Sequence, residues 1–501
     1  MNLNFWLPLL VLCSSLFAGL IIFMLDESRS RLRTALNLFA AAFKVVAVHY
    51  MAYRLLVHGE MHQVGFSMGL GFEFLIKVDF LSLMFLALSS NLWLVTTLYA
   101  VGYLEGSPNR SRFFGFFSLC VTASTGIAMA GNLITFFIFY EFLTLTTYPL
   151  VVHRETRQAL EAGRNYLWYT IGGGSVLFVG IVWLHVLAGP FNFTDTGVLE
   201  ALDPAHYSTL VIIFALLIAG LGVKAALVPL HGWLPVAMVA PAPVSALLHA
   251  VAVVKAGAFG IVRVVFDVYD REFAAGLGLL EPLAIVAAVT IIFGSVRALM
   301  QTDLKKRLAY STVSQVSYIT LGAAILAPFS TVAAIVHLVH QGIMKITMFF
   351  AAGNVAETYG YKKISQLNGI GRRMPLTMGA FTIAVFGMIG LPPIAGFVSK
   401  WYLGLGAVEA GSYWVVLVLL TSSALNAAYF LPIVYRAWFC EPDYKVSRLR
   451  GSGRLETQPL LLIPVVVTAL FSLAAGVFAS AALSPLSIAR EIAEKLYLYL
   501  L

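Results

Sequence analysis

Fourteen apolar stretches of about 20 residues follow one another along this chain, and a membrane-spanning helix needs about that length. They cover roughly 5–25, 34–57, 77–104, 112–131, 132–152, 167–189, 208–230, 241–268, 279–300, 307–327, 330–352, 376–400, 411–438 and 459–482. Apolar residues make up 60% of the chain and charged residues 11%, against about 25% charged in soluble domains. Such a chain cannot cover a water-facing surface. Alternating strands of about ten residues, the mark of a membrane barrel, are absent. The first stretch has no basic residue before it and is long enough to span, so it reads as a span and not as a cleaved signal. Two spans are expected to meet near Gly131 with almost no loop.

The net charge of +8 follows from topology and not from nucleic-acid binding. Nineteen lysines and arginines fall in the loops of one face, from Arg29 to the group Lys445, Arg448, Arg450 and Arg454. The other face holds three, Arg271, Arg490 and Lys495. The richer face is expected to be cytoplasmic, with both termini outside a cell inner membrane. Cys13, Cys120 and Cys440 lie far apart with no CxxC spacing, which argues against zinc, iron–sulfur and disulfide sites. No P-loop is present, and no loop exceeds about 25 residues. Any active transport must draw on an ion gradient or a partner. No catalytic constellation, metal or cofactor is expected. Glycines 172–174 lack strand context and read as helix packing.

Ten basic residues lie inside the spans or at their edges. Arg54, Lys77, Arg263, Arg297 and Arg436 are near enough to an interface to snorkel or anchor a helix end. Lys44 is deeper and belongs to no motif. Lys224, Lys255, Lys345 and Lys400 are buried by position, and one deep carboxylate, Glu141, stands against them. Ionisable groups in a membrane are costly and mark ion pathways. Burial and a nearby carboxylate act in opposite senses on a lysine's proton affinity, which suits proton exchange. His249 precedes Lys255, and His337 and His340 precede Lys345. Imidazoles suit proton relay. His185 reads as a simple hydrogen-bonding residue. Zinc between His337 and His340 would need a third ligand that the sequence does not offer.

Two spans are interrupted. The segment VKAALVPLHGWLPVAM carries Pro229, Gly232 and Pro235 close to Lys224. The segment GLPPIAGFVSKWYLG carries Gly390, Pro392, Pro393 and Gly396 close to Lys400. Broken helices at matching places in two halves point to a transporter's ion path. The expected fold is an all-α integral membrane protein. Residues 1–111 form a three-helix segment, 112–268 and 279–438 two five-helix repeats, and 439–501 a final helix and tail. An odd number of helices per repeat makes the repeats inverted, with Lys224 and Lys400 each in the fourth helix.

Three segments carry a family likeness: WLPVAMVAPAPVSALLHAVAVVKAGAFG (233–260), QTDLKKRLAYSTVSQVSYI (301–319) and GRRMPLTMGAFTIAVFGMIGLPPIAGFVSKW (371–401). The chain resembles the antiporter-like subunits of respiratory complex I, of Mrp-type Na+/H+ antiporters and of membrane-bound hydrogenases, over about residues 75–440. The resemblance implies fourteen helices, inverted repeats with a broken helix in each, and a charged axis along the membrane midplane. By motif, Glu141 resembles the family's buried glutamate and Lys224 the lysine paired with it. Lys255 and His249 match the central helix, Lys345 and His337 the next, and Lys400 the terminal position. The family spacing HLxxHxxxK appears here as HLVHQGIMK, which moves His340 one residue early. One residue is about 100° around a helix, so His337 is the expected axis member. Length points within this superfamily to the smaller, D-type Mrp antiporter subunit.

The resemblance therefore implies a proton-translocating subunit that exchanges protons for Na+ or K+ along a Glu/Lys/His axis. Its partners would be other membrane subunits, and its surroundings the lipid bilayer. The alternatives are a redox-driven subunit of complex I or a hydrogenase, an energy-coupling subunit of an inorganic-carbon uptake complex, and a non-transporting scaffold.

Overall fold

A computed structural model describes residues 3–69, 71–193, 195, 197–442 and 456–497. The loop lysine and arginines at 445, 448, 450 and 454 lie outside the described residues. The chain is all-α apart from one hairpin. The early helices are α1 (Leu3–Phe23), α2 (Ser30–His58), α3 (Phe80–Tyr103), α4 (Arg110–Ala128), α5 (Leu133–Val151), α6 (Arg157–Ala188) and α7 (Tyr207–Ala225). There follow the single turn α8 (Trp233–Val236), α9 (Ala242–Ala250), α10 (Val253–Arg263) running into a π turn (Val264–Val268), α11 (Arg271–Gly276) and α12 (Leu280–Leu299). The remainder is α13 (Leu304–Ala323), α14 (Pro328–Tyr359), the turn α15 (Ile370–Arg373), α16 (Pro375–Ile389), α17 (Ala395–Glu409), α18 (Tyr413–Phe439), α19 (Pro459–Val477) and α20 (Pro485–Tyr497).

Ten helices among the described residues are long and apolar enough to cross a membrane. Four of the expected spans fall outside that group for two reasons. The spans at 241–268 and 376–400 are each split in two, at α9/α10 and α16/α17. The helices α4 and α13 carry rows of Ser and Thr, and nearly every residue of each is buried. A helix surrounded by protein does not need a lipid-compatible face.

The strands were not anticipated. Strand β1 (His62–Gly69) pairs antiparallel with β2 (Phe72–Val78), with Val64 opposite Ile76 and Phe66 opposite Phe74. The Phe66 and Phe74 rings stack at 5.1 Å, and a bulge at Ser67/Gly69 leads into the turn. The hairpin takes Lys77 and Val78 from the start of the expected third span. It also explains the tight join near Gly131. Lys77 N–H donates to the Met129 carbonyl at 2.7 Å and Gly131 N–H to the Leu75 carbonyl at 2.9 Å. Asn132 then caps α5, its side chain accepting from Thr135 N–H at 2.9 Å, as an N-cap residue should.

The chain forms two compact units. The first comprises Met1–Thr97, Ser107–Trp233 and Val251–Ile285; the second comprises Leu98–Gly106, Leu234–Ala250 and Val286–Leu501. In the first unit α4 is the core helix. Small residues let backbones approach: a Cβ on Gly19 would meet the Gly115 carbonyl at 3.0 Å. In the second unit α14 is buried almost continuously from Ser330 to Val355. Close approach recurs there, since a Cβ on Gly476 of α19 would run into the Pro393 carbonyl. The amphipathic α20 turns Leu486, Ala489, Ile492 and Ala493 inward.

Arg263 corrects an expectation. It does not reach for an interface but is 2% exposed. Its guanidinium lies 2.8 Å from Asp79 and 2.7 Å from Asp267.

Candidate functional site: buried lysines at two interrupted helices

In the first unit α7 stops after Ala225 because Ala226 adopts a left-handed conformation, φ 58°. Pro229 and Gly232 follow, with Pro229 exposed. Trp233 Nε1 donates to the Val223 carbonyl at 2.7 Å and ties the chain back to the helix end. Lys224 thus sits in the last turn of α7, where the helix dipole favours a cation. It is fully buried. Its ammonium donates to the Tyr140 carbonyl of α5 and stands 3.3 Å from the Tyr140 ring centroid. Tyr140 is held in turn by donating to the Gly220 carbonyl at 3.1 Å.

Glu141 is half-buried and interacts with Lys224 electrostatically. The ion pairs among the described residues involve neither of them. The expected contact pair is therefore a through-space pair here, with the neighbouring tyrosine taking the ammonium. One carboxylate oxygen, Oε1, is buried without a hydrogen-bond partner among the described residues. Lys255 lies on α10, wholly buried. Gly257 brings α10 against α7, since a Cβ there would lie 2.7 Å from the Lys224 carbonyl carbon. Glu141, Lys224 and Lys255 thus share one unit.

The glycine run at 172–174 gains a local meaning. A Cβ on Gly174 of α6 would strike the Glu141 carboxylate. Gly174→Ala is expected to turn that carboxylate away and lower proton uptake about tenfold, about 1.4 kcal/mol of barrier. Thermal stability should barely change, because a carboxylate tip swings freely. Uptake by reconstituted vesicles and a thermal scan check both halves.

In the second unit α16 ends at Gly390, φ 100°, and α17 starts after exposed Pro392 and Pro393. Lys400 reaches back from α17. It donates to the Met388 and Ile389 carbonyls at 2.9 Å each and to Ser423 Oγ at 3.1 Å. Those carbonyls belong to the last turn of α16, which the break leaves without intrahelical partners. Lys345 of α14 is fully buried; it donates to Ser311 Oγ and to the Leu308 carbonyl, the latter at 3.4 Å.

His337 bridges α17 and α13, with Nδ1 at 2.7 Å from Ser399 Oγ and Nε2 at 3.1 Å from the Gln315 carbonyl. His340 is buried too and faces the Ala395 backbone at the start of α17. His249 falls in this second unit, stacked on Phe349 at 4.5 Å, and within the fields of Lys345 and Lys305. Pro235 is buried in the same unit. Both ring nitrogens of His249 and both amide atoms of Gln341 lie without hydrogen-bond partners among the described residues. Buried polar atoms in that condition are matched by water or by a rearranged neighbour.

Tyr140, Ser311, Ser399 and Ser423 escaped the sequence reading. Tyr140 precedes Glu141, and Ser311 lies in a quoted motif, but hydroxyls carry no burial signal. Among the described residues no three His, Cys, Asp or Glu side chains could hold a metal.

Ammonium groups held by neutral oxygens at helix breaks are the parts of an ion-translocating membrane protein. The chain belongs to the NADH:quinone oxidoreductase/Mrp antiporter family, whose profile matches residues 130–426. A second profile, NADH-ubiquinone oxidoreductase (complex I) chain 5 N-terminus, matches residues 66–114. The chain is 37% identical over 398 residues to NADH-quinone oxidoreductase subunit N of Desulforudis audaxviator, covering 77% of this chain and 78% of that one. It is 32% identical over 358 residues to an Na(+)/H(+) antiporter subunit of Alkalihalophilus pseudofirmus, covering 68% of this chain but 43% of that longer one. The fold matches a chain of the Mrp complex from Dietzia sp. DQ12-45-1b with a TM-score of 0.86 at 24% identity, over 99% of this chain and 98% of that one. It matches a chain of an archaeal membrane-bound sulfane sulfur reductase with a TM-score of 0.85, also at 24% identity, over 99% and 98%.

Proposed function

We propose that this chain is a proton-translocating subunit of a multisubunit Na+(K+)/H+ antiporter, in the role of the D-type Mrp subunit. The observation that carries the proton reading is the set of buried lysines satisfied by neutral oxygens at helix breaks. Charge there can be lost and regained without stranding a fixed counter-ion. Glu141 tunes Lys224 through space, Lys255 follows on α10, and His249, His337 and Lys345 continue the series. Lys400 connects to a bulk phase or to a neighbouring subunit. The two halves support a repeat reading: α6 and α14 each span 32 residues and precede the broken helices. The D-type role rests on chain length and on the match to nearly the whole of an Mrp chain. Loop charges support a cytoplasmic basic face, with both termini outside an inner membrane.

A second reading has its own support. The 37% identity to a subunit N favours a redox-driven pump subunit. The two readings separate on the native complex. A tagged chain, purified gently from its own membranes, is assayed for iron, labile sulfide and co-purifying subunits. Small membrane partners without iron, and Na+-dependent proton movement in vesicles, are the expected result. Iron–sulfur clusters with large hydrophilic partners would overturn the antiporter assignment and leave proton translocation standing.

A further inference from the structure

Lys44 takes no part in the series above, yet it lies at the centre of α2, fourteen residues from either end of Ser30–His58. It is 1% exposed. Its ammonium donates to Ser15 Oγ of α1 at 2.7 Å and to Thr125 Oγ1 of α4 at 2.9 Å. It stands 5.1 Å from the Trp93 ring centroid of α3. These are two hydroxyls and an aromatic face, and no carboxylate. The titratable group that faces it is Cys13 on α1.

A seam of polar side chains leads from this ammonium to one end of the helices. Thr122 Oγ1 donates to Ser15 Oγ at 2.9 Å and to the Ser118 carbonyl at 3.0 Å. Ser118 Oγ donates to Asn37 Oδ1 at 3.1 Å, and Asn37 Nδ2 to the Arg33 carbonyl at 3.1 Å. Arg33 Nη1 donates to Ser111 Oγ at 2.8 Å and lies 3.5 Å from the carboxylate of Glu27, which is 46% exposed. Arg110 also approaches Glu27, at 4.0 Å. Positions 33, 37 and 44 fall on one face of α2, and 111, 118, 122 and 125 on one face of α4. Eleven residues from Arg33 to Lys44 rise roughly 16 Å, about half of a hydrocarbon core of ~30 Å. The seam therefore runs from the exposed Glu27 to mid-depth.

A structural staple needs the hydroxyls but not a lysine, which is a costly residue at that depth. The hydroxyls around Lys44 also have a second option. Thr125 Oγ1 directs its own hydrogen to the Val121 carbonyl at 2.7 Å, and Ser15 Oγ to the Leu12 carbonyl at 3.4 Å. Either can rotate and donate to a neutral amine instead. Both protonation states of Lys44 can thus be satisfied without moving a helix. No comparable adaptability is available to a side chain locked in an ion pair.

We infer that Lys44 is a proton-exchanging site reached from the Glu27 face along this seam, separate from the group formed by Glu141, Lys224 and Lys255. The ammonium passes one proton to solvent water admitted at Thr122 and Ser118 and becomes a neutral amine. The freed lone pair accepts from the Thr125 hydroxyl. The proton leaves past Asn37 to the Glu27 carboxylate and the bulk, and the reverse step recharges the amine. The inference rests on the proton-translocating reading for its purpose but not for its test.

The test uses the assembled complex in oriented vesicles. On a background with Cys13, Cys120 and Cys440 replaced by Ala, Lys44→Cys is exposed to 2-aminoethyl methanethiosulfonate from either face. Modification from the Glu27 face is expected, slowed at least tenfold by Ser118→Leu. Absence of modification from that face overturns the inference. In the otherwise unaltered chain, Lys44→Arg retains the charge but cannot release a proton. It is expected to lower proton uptake at least threefold and to displace its pH profile. Full uptake with an unmoved profile would make Lys44 a staple and overturn the inference. Should Lys44→Cys fail to assemble, Thr122→Val and Ser118→Ala carry the same test, with slower uptake expected and unchanged uptake overturning it. Modification at position 44 alongside normal uptake by Glu141→Gln would sink the proposed relay and leave this site intact.

Discussion

Glu141→Gln is expected to reduce proton uptake at least tenfold while the complex assembles at its normal level. The carboxylate is the charge that acts on Lys224, so its removal takes away the means of shifting that lysine between proton states. The usual objection is that breaking a buried ion pair destabilises a protein by about 3–5 kcal/mol, so lost activity could reflect lost protein. The geometry answers this. Lys224 hydrogen-bonds to the Tyr140 carbonyl and lies over the Tyr140 ring, not against Glu141. Neutralising Glu141 strands no directly paired ammonium, and the expected change in stability is below about 1 kcal/mol, the scale of one ordinary hydrogen bond. Lys224→Met should abolish uptake as well, again without loss of assembly. The checks are dye-reported pH change in vesicles and recovery of tagged complex. Normal uptake by both variants would remove Glu141 and Lys224 from the ion path.

The largest effect on stability is expected at Arg263. Its guanidinium binds two carboxylates, with Nη2 also donating to Ser82 Oγ at 2.9 Å. The arginine side chain is 3% exposed, and those of Asp79 and Asp267 are 25% and 15% exposed. Arg263→Met leaves two poorly solvated carboxylates facing each other, and the loss should be about 3–5 kcal/mol. Arg263→Lys should recover only part of it, because one ammonium cannot replace a fork that engages both acids. Adding Asp267→Asn to Arg263→Met should recover part too, by deleting one stranded charge. Large membrane assemblies unfold irreversibly, so the measurement is the amount of intact complex and its inactivation rate at a fixed temperature. An Arg263→Met complex as abundant and durable as the parent would show the cluster to be dispensable.

Much of the architecture could be read from residues alone. Runs of about 20 apolar residues fixed where helices lie, because lipid leaves a backbone few other solutions. Proline and glycine marked the two breaks, since neither sustains a helix there. Other features depend on partners far away in sequence. Arg263 looked like an anchor because Asp79 lies 184 residues off. The hairpin at His62–Val78 was hidden in a loop because its alternation is short and its turn residues, Gly69 and Gly71, resemble any linker. The Glu141–Lys224 likeness named the right neighbours in chain order, but the choice of Tyr140 as hydrogen-bond acceptor is set by the side-chain packing of α5 against α7. The lysines stood out because charge in lipid is rare, whereas Ser311, Ser399 and Ser423 resembled dozens of other hydroxyls.

The hydroxyl-rich, deeply enclosed α4 and α13 also bear on how the chain is made. Insertion machinery samples each emerging segment for its preference for lipid, and neither helix reaches the apolarity of a span by itself. Each must enter the bilayer in company. For α4 that company has already been synthesised, since α1 offers the close contact at Gly19 and Gly115. For α13 it lies ahead, because His337 and Lys345, which bond to its Gln315, Leu308 and Ser311, belong to α14. Biogenesis of the second half therefore has to hold α13 at the translocon until α14 emerges, and a pause or truncation between them should leave the nascent chain exposed to quality control.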